Sequence, residues 1–172
     1  AGKKLLTVSL KPIDTSPNIV LPLERGLLTL FKQMLIGLLT LDTDYVFTCD
    51  HDIIYHPSHF DFVPPKKDVY YYDYNVWRIR MEDGFALHYD AMQHLGLCCD
   101  RKLLIDHYIK RIRVVENLGK WDRNIGFEPG SHNRKERLDD FKAETWWSAQ
   151  PALDLRHKNN QTASRWRQDQ FR

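Results

Sequence analysis

Tyr45-Val46-Phe47-Thr48-Cys49-Asp50-His51-Asp52 is the stretch on which the fold turns. Its first five residues are mostly apolar β-formers, the composition of a strand covered on both faces. Its last three place two carboxylates one residue apart where that strand stops. Upstream, Gly26 to Thr40 carries apolar residues at Leu27, Leu30, Phe31, Met34, Leu35 and Leu38, with Lys32 and Gln33 off the stripe. Spacings of three and four predict an amphipathic helix. Earlier still, Leu5 to Leu10 reads as a strand, ended by Pro12 and the turn-rich Asp14 to Asn18. Strand, helix, buried strand is how an α/β protein with a parallel sheet begins.

Downstream, His51 to Pro65 holds three His and three Pro and reads as a loop with one helical turn. Val69 to Tyr72 and Val76 to Met81 read as strands on either side of an Asp73-Tyr74-Asn75 turn. Phe85 to Tyr89 and His94 to Cys99 are short strand candidates. Asp100 suits the N-cap of a second helix whose stripe is Leu104, Tyr108, Ile112 and Val115. Beyond Gly119 the chain is charged, aromatic and irregular. The expectation is one domain over 1–172, with a core at 5–115 and site-forming loops at 116–172.

Composition narrows the function. In 172 residues, 42% hydrophobic and 28% charged, a globular core is affordable by size, and no apolar run reaches membrane-span length. A net charge of +2 disfavours a protein that coats nucleic acid. Cys98 and Cys99 are adjacent and Cys49 makes the count odd, so a disulfide framework is not expected and a reducing, cytoplasmic setting is. The sequence has no G-x-S-x-G, no G-x-x-x-x-G-K, no G-x-G-x-x-G and no H-E-x-x-H.

Asp50 and Asp52, beyond the carboxyl end of a strand, can share a hard divalent cation, or they can form a plain acidic turn. His157 can complete such a site, with Arg156 and Lys158 gripping phosphate oxygens, or it can sit on a solvated basic tail with Arg165, Arg167 and Arg172. Glu128, in Gly126-Phe127-Glu128-Pro129-Gly130, is either a general base or an exposed turn residue. Trp77, Trp146 and Trp147 can offer flat faces to a sugar or a base, although aromatics are more often core.

In their order along the chain, these features resemble a GT-A-fold glycosyltransferase of the nucleotide-sugar-dependent kind, particularly small bacterial or phage-type members. The likeness rests on the helix and strand from Arg25 to Asp52, the glycine-containing lead into a helix at Leu95 to Leu104, the acidic loop Phe127-Glu128-Pro129-Gly130, and His157. The resemblance implies a three-layer sandwich with a mostly parallel central sheet. Leu5 to Leu10 is similar to the family's second strand, so the expected domain lacks the first, nucleoside-binding one. It also implies transfer of a sugar from a nucleotide-diphosphate donor, a UDP-sugar first, to a hydroxyl acceptor. Asp50, Asp52 and His157 would hold Mn2+ or Mg2+, and His51, Arg156 and Lys158 would contact the nucleotide. Glu128 would be the catalytic base, and Trp77, Arg78, Trp146 and Trp147 would line the substrate surface. A sheet edge left open by the missing strand would favour a homo-oligomer. Two rivals from other classes are a nucleic-acid-binding module using the basic C-terminal tail and a metal-dependent phosphoesterase using the Asp-His cluster.

Overall fold

A computed structural model describes residues 3–15, 17–88, 90–120, 128–130, 138–158 and 160. Arg165, Arg167 and Arg172 of the basic tail lie outside the described residues. In chain order the elements are β1 (Thr7–Ser9), β2 (Asn18–Val20), α1 (Leu27–Thr40), β3 (Tyr45–Phe47), β4 (Ile53–Ile54), β5 (Val69–Asp73), β6 (Val76–Arg80), β7 (Ala86–His88), β8 (Leu97–Asp100), α2 (Arg101–Leu118), β9 (Lys142–Trp146) and β10 (Ala152–Arg156). Short 3-10 turns occupy Pro57–Asp61 and His94–Gly96. No helix among the described residues is long and apolar enough to cross a membrane.

The chain divides into two compact units. The first comprises Ala1–Val46, Pro64–Tyr70 and Cys99–Ala143; the second comprises Phe47–Val63, Tyr71–Cys98 and Glu144–Arg172. In the first unit β1 and β2 form a parallel pair, Thr7 opposite Asn18. The turn read at Asp14 to Asn18 therefore ends one residue early, and Asn18 starts a second strand. Helix α1 buries Phe31 and Leu38 from the predicted stripe, while Leu30 stays exposed. Helix α2 follows its sequence closely. The Asp100 carboxylate accepts from the Leu103 amide at 3.1 Å, Gly119 ends the helix at φ 65°, and Leu104, Tyr108, Ile112 and Val115 are buried. Arg101 ties the two helices' ends together, donating to the carbonyls of Leu38 (3.1 Å) and Thr43 (2.8 Å).

The second unit contains a four-stranded sheet of order β4-β10-β6-β7. Strand β10 runs antiparallel to β4 and parallel to β6, and β6 runs antiparallel to β7. A mostly parallel sheet does not describe this pattern. Another four-stranded sheet has the order β3-β8-β5-β9, with β5 antiparallel to β8. At the coarse level the α/β expectation stands: among the described residues there are two α-helices and mixed sheets. Residues 116–172, expected to be loops, supply β9 and β10, and β10 is interior to its sheet. Their partners lie far away in sequence, so no local turn or hairpin signal marks them.

Candidate functional site

The D-x-D loop is held by aromatic and backbone contacts within the second unit. The Thr48 amide donates to the Leu97 carbonyl at 3.0 Å. The Asp50 amide donates to the Tyr55 hydroxyl at 3.1 Å, and that hydroxyl donates to the Leu95 carbonyl at 2.8 Å. The β4–β10 pairing then brings the far end of the chain to this loop. The Leu155 amide donates to the Asp52 carbonyl at 3.0 Å, and the Asn160 side-chain amide donates to Asp52 Oδ2 at 2.8 Å. The same Asn160 amide also donates to the Leu155 carbonyl at 2.8 Å. Its Oδ1 accepts from the His157 amide at 2.8 Å, closing a turn at 157–160.

Alternation along the strands sorts the sheet's side chains onto two faces. One row across the sheet is Ile53, Asp154, Arg78 and Leu87, in register. Asp154 and Arg78 are almost fully buried, with Arg78 Nε 3.8 Å from Asp154 Oδ2 and the Arg156 guanidinium bonded to the same oxygen. Burial pushes the Asp154 carboxyl above the usual carboxylate range; Arg156 and Arg78 offset this and the charge of Asp52 adds to it. Asp50 is also raised, first by partial burial and then by Asp52, with His51 and Arg156 pulling the other way. Its side chain remains 47% exposed. Asp154 thus shares two arginines, whereas for Asp50, nearer the surface, burial and the charge of Asp52 outweigh the pull of His51 and Arg156.

The expected residues scatter around this cluster. Asp50, Asp52, His51 and Arg156 come together. His157 and Lys158 are exposed in the turn after β10. Arg78 joins the cluster from within the sheet, on the face opposite to Trp77, since neighbouring strand residues point opposite ways. Trp146 is half-buried and stacked on Phe62, ring centroids 4.5 Å apart, with its indole nitrogen shielded from solvent. Trp77 and Trp147 are exposed and each contacts His88. Glu128 belongs to the first unit, whereas the cluster around Asp50 and Asp52 is built from the second. Its Glu-Pro-Gly turn is packed tightly: Gly130 sits at φ 67°, and a Cβ there would meet the Tyr70 ring at 2.8 Å.

The three histidines between His51 and Pro65 have divided tasks. His51 is exposed beside Asp50, and His56 caps the turn at Pro57–Asp61 by accepting from the Ser58 amide. His59 is fully buried, its Nδ1 2.8 Å from Asp73 Oδ2 and its ring packed among Phe47, Tyr55, Phe60 and Trp146. Burial opposes ionisation of Asp73, but hydrogen bonds from His59 and the amides of Asn75 and Ser148 outweigh it and lower the carboxyl.

Two members of the cluster were missed in the sequence. Asp154 had a signal: Ala152-Leu153-Asp154-Leu155-Arg156 alternates, setting an acid and a base on one face of a strand. Asn160 had none, because a side chain that closes a turn onto a distant carboxylate has no pattern of its own.

Charge and donor type decide whether this loop suits a divalent cation. The nearby donors are carboxylate oxygens, the hard ligands that Mg2+ and Mn2+ prefer, and a cation would relieve the Asp50–Asp52 repulsion. Among the described residues no group of three or more His, Cys, Asp or Glu side chains is arranged to hold a metal. A cation here would take one or two carboxylates from the protein and the rest from phosphate oxygens and water, which is how Mg2+ is commonly bound. The residues fit such a substrate-completed site. Comparisons with protein-family models, with curated proteins and with solved structures find no match for this chain.

Proposed function

We propose that the protein is a metal-dependent glycosyltransferase, a variant of the GT-A arrangement, that moves a sugar from a nucleotide-diphosphate donor to a hydroxyl acceptor. The observation that carries this reading is the bond from Asn160 to Asp52. It joins the turn containing His157 and Lys158 to the D-x-D loop, supporting the pairing of these segments that the resemblance implies. Asp50 and Asp52 would hold a divalent ion, which would supply Lewis-acid chemistry for the diphosphate. Arg156 and Lys158 offer cationic donors to its oxygens, and Asp154 orients the Arg156 guanidinium by a charge-assisted bond. Arg78, buried behind Asp154, keeps that carboxylate from claiming Arg156 alone.

Calorimetric titration of UDP with and without Mn2+ tests the reading. Binding should need the metal, and Asp52→Asn should weaken Mn2+-supported UDP binding by at least about tenfold, or 1.4 kcal/mol. Metal-independent binding, no binding, or an unchanged affinity in Asp52→Asn argues against it.

A further inference from the structure

Every polar group of Asn160 is engaged. Its backbone amide donates to the His157 carbonyl at 3.0 Å, and its own carbonyl accepts from Arg156 Nη1 at 3.3 Å. In the side chain, Oδ1 accepts from the His157 amide, and Nδ2 donates both to the Leu155 carbonyl and to Asp52 Oδ2, each at 2.8 Å. A carboxamide has two N–H donors, so neither is left for another acceptor. All but one of these bonds fasten Asn160 to Leu155, Arg156 and His157, the end of β10 and the turn after it. The remaining bond holds a carboxylate 108 residues away in sequence. Asp52 is fastened as well: its carbonyl accepts from the Leu155 amide at 3.0 Å, and its neighbour Ile53 pairs with Asp154. Donor and acceptor are both fixed, so Asp52 presents its carboxylate with one oxygen already committed.

Coordination chemistry decides which ion suits a carboxylate held in this way. Mg2+ is small, demands near-octahedral geometry and fills most of its shell with water and phosphate oxygens, and Mn2+ shares its preference for six oxygens. Ca2+ is larger, gathers about six to eight oxygens and often takes both from one carboxylate. Bidentate chelation would draw Oδ2 toward the ion and away from an amide that its other bonds keep from following. Coordination through one oxygen leaves the Asn160 bond in place. We infer, on the metal-site reading, that Asn160 is a positioning residue that restricts Asp52 to one-oxygen coordination and so selects Mg2+ and Mn2+ over Ca2+. It acts through Asp52 and is not itself a ligand, since its side-chain oxygen serves the His157 amide.

The test titrates the full chain with Mn2+ alone, reads free Mn2+ by electron paramagnetic resonance, and displaces the bound ion with Mg2+ or Ca2+. The parent should bind Mg2+ ahead of Ca2+. In Asn160→Ala that preference should fall about tenfold, the scale on which outer-shell partners act, while circular dichroism shows the parent's fold. Asn160→Ser separates the bond to Asp52 from closure of the turn, because a serine hydroxyl can still accept from the His157 amide but lacks the carboxamide that spans to Asp52. It should lose the preference as the alanine variant does. Affinities that fall in parallel for all three ions, with their ratio unchanged, would mean that Asn160 only shapes the turn, and they overturn the inference. A parent that prefers Ca2+, or a parent-like ratio in Asn160→Ser, overturns it equally. Each of these results, with Mn2+ still bound by the parent, leaves the metal-site reading standing, whereas a parent that binds no Mn2+ removes both.

Discussion

Asp139 in the first unit and Asp50 in the second each stand beside a histidine, with an arginine close by, yet their carboxyl groups shift in opposite directions. Asp139 accepts from Tyr70 (2.9 Å) and pairs with His107 Nδ1 (2.7 Å), while its other oxygen takes the Phe141 amide. Arg111 then donates to His107 Nε2 at 3.1 Å. Burial opposes ionisation of Asp139, but these bonds outweigh it and its pKa falls below the usual range. Around Asp50 the nearest strong influence after burial is another carboxylate, and its pKa rises. The first cluster is closed, with both nitrogens of its histidine in use. The second carries surplus negative charge at the surface. Similar residue types therefore make a brace in one place and a candidate site in the other, and the distinction lies in whether each acceptor has its donor.

The sharpest way to break the closed cluster is Asp139→Ala. It leaves His107 Nδ1 and the Tyr70 hydroxyl buried without their shared acceptor and frees the imidazole that accepts from Arg111. The expected cost is about 3 kcal/mol, read as a fall in urea midpoint. A loss within about 0.5 kcal/mol would mean that the network is not a brace.

Acid should open the same cluster. Burial, together with the charges of Arg111 and Lys110, holds His107 down to about 4, against the opposing pull of Asp139. The unfolded chain takes up this proton near pH 6.5 while the folded one still refuses it, so unfolding binds a proton across that window. Stability then falls as pH drops from about 6.5 to about 4, by about 3 kcal/mol in total. Below that range, protonation of Asp139 and Asp73, both lowered in the folded state, removes more. An NMR titration of the His107 ring is decisive, since a midpoint near 6.5 contradicts the closed network.

The contrast also explains what the sequence made legible. Helices α1 and α2 announce themselves because their stripes, cap and terminal glycine are local. The D-x-D loop was visible as a motif at a strand end. The closed cluster was invisible: His107 sits inside a helix pattern, and its partner Asp139 is 32 residues away in a charged stretch without periodicity. Strand β10 was missed for the same reason, and with it the Arg78–Asp154 pair, whose register depends on a parallel crossover. Trp77 and Arg78 were grouped because they are adjacent in sequence, and strand geometry separates them for that very reason.

The smallest expected effect concerns the open cluster itself. With its pKa raised, Asp50 binds a proton more tightly folded than unfolded, so it opposes folding increasingly as pH climbs from its ordinary value through its raised one. At neutral pH the ionised carboxylate is held at a cost. Asp50→Asn removes that cost and should stabilise the metal-free protein, by less than about 1 kcal/mol because the side chain is nearly half exposed and solvent screens the repulsion. Added Mn2+ should raise the melting temperature of the parent and leave the variant almost unmoved. High salt should shrink the difference between the two metal-free proteins. A metal-free variant less stable than its parent would mean that Asp50 is a satisfied carboxylate, and the contrast with Asp139 would fail. A gain in stability joined to a lost response to Mn2+ is the behaviour of a residue retained for binding against the interest of the fold.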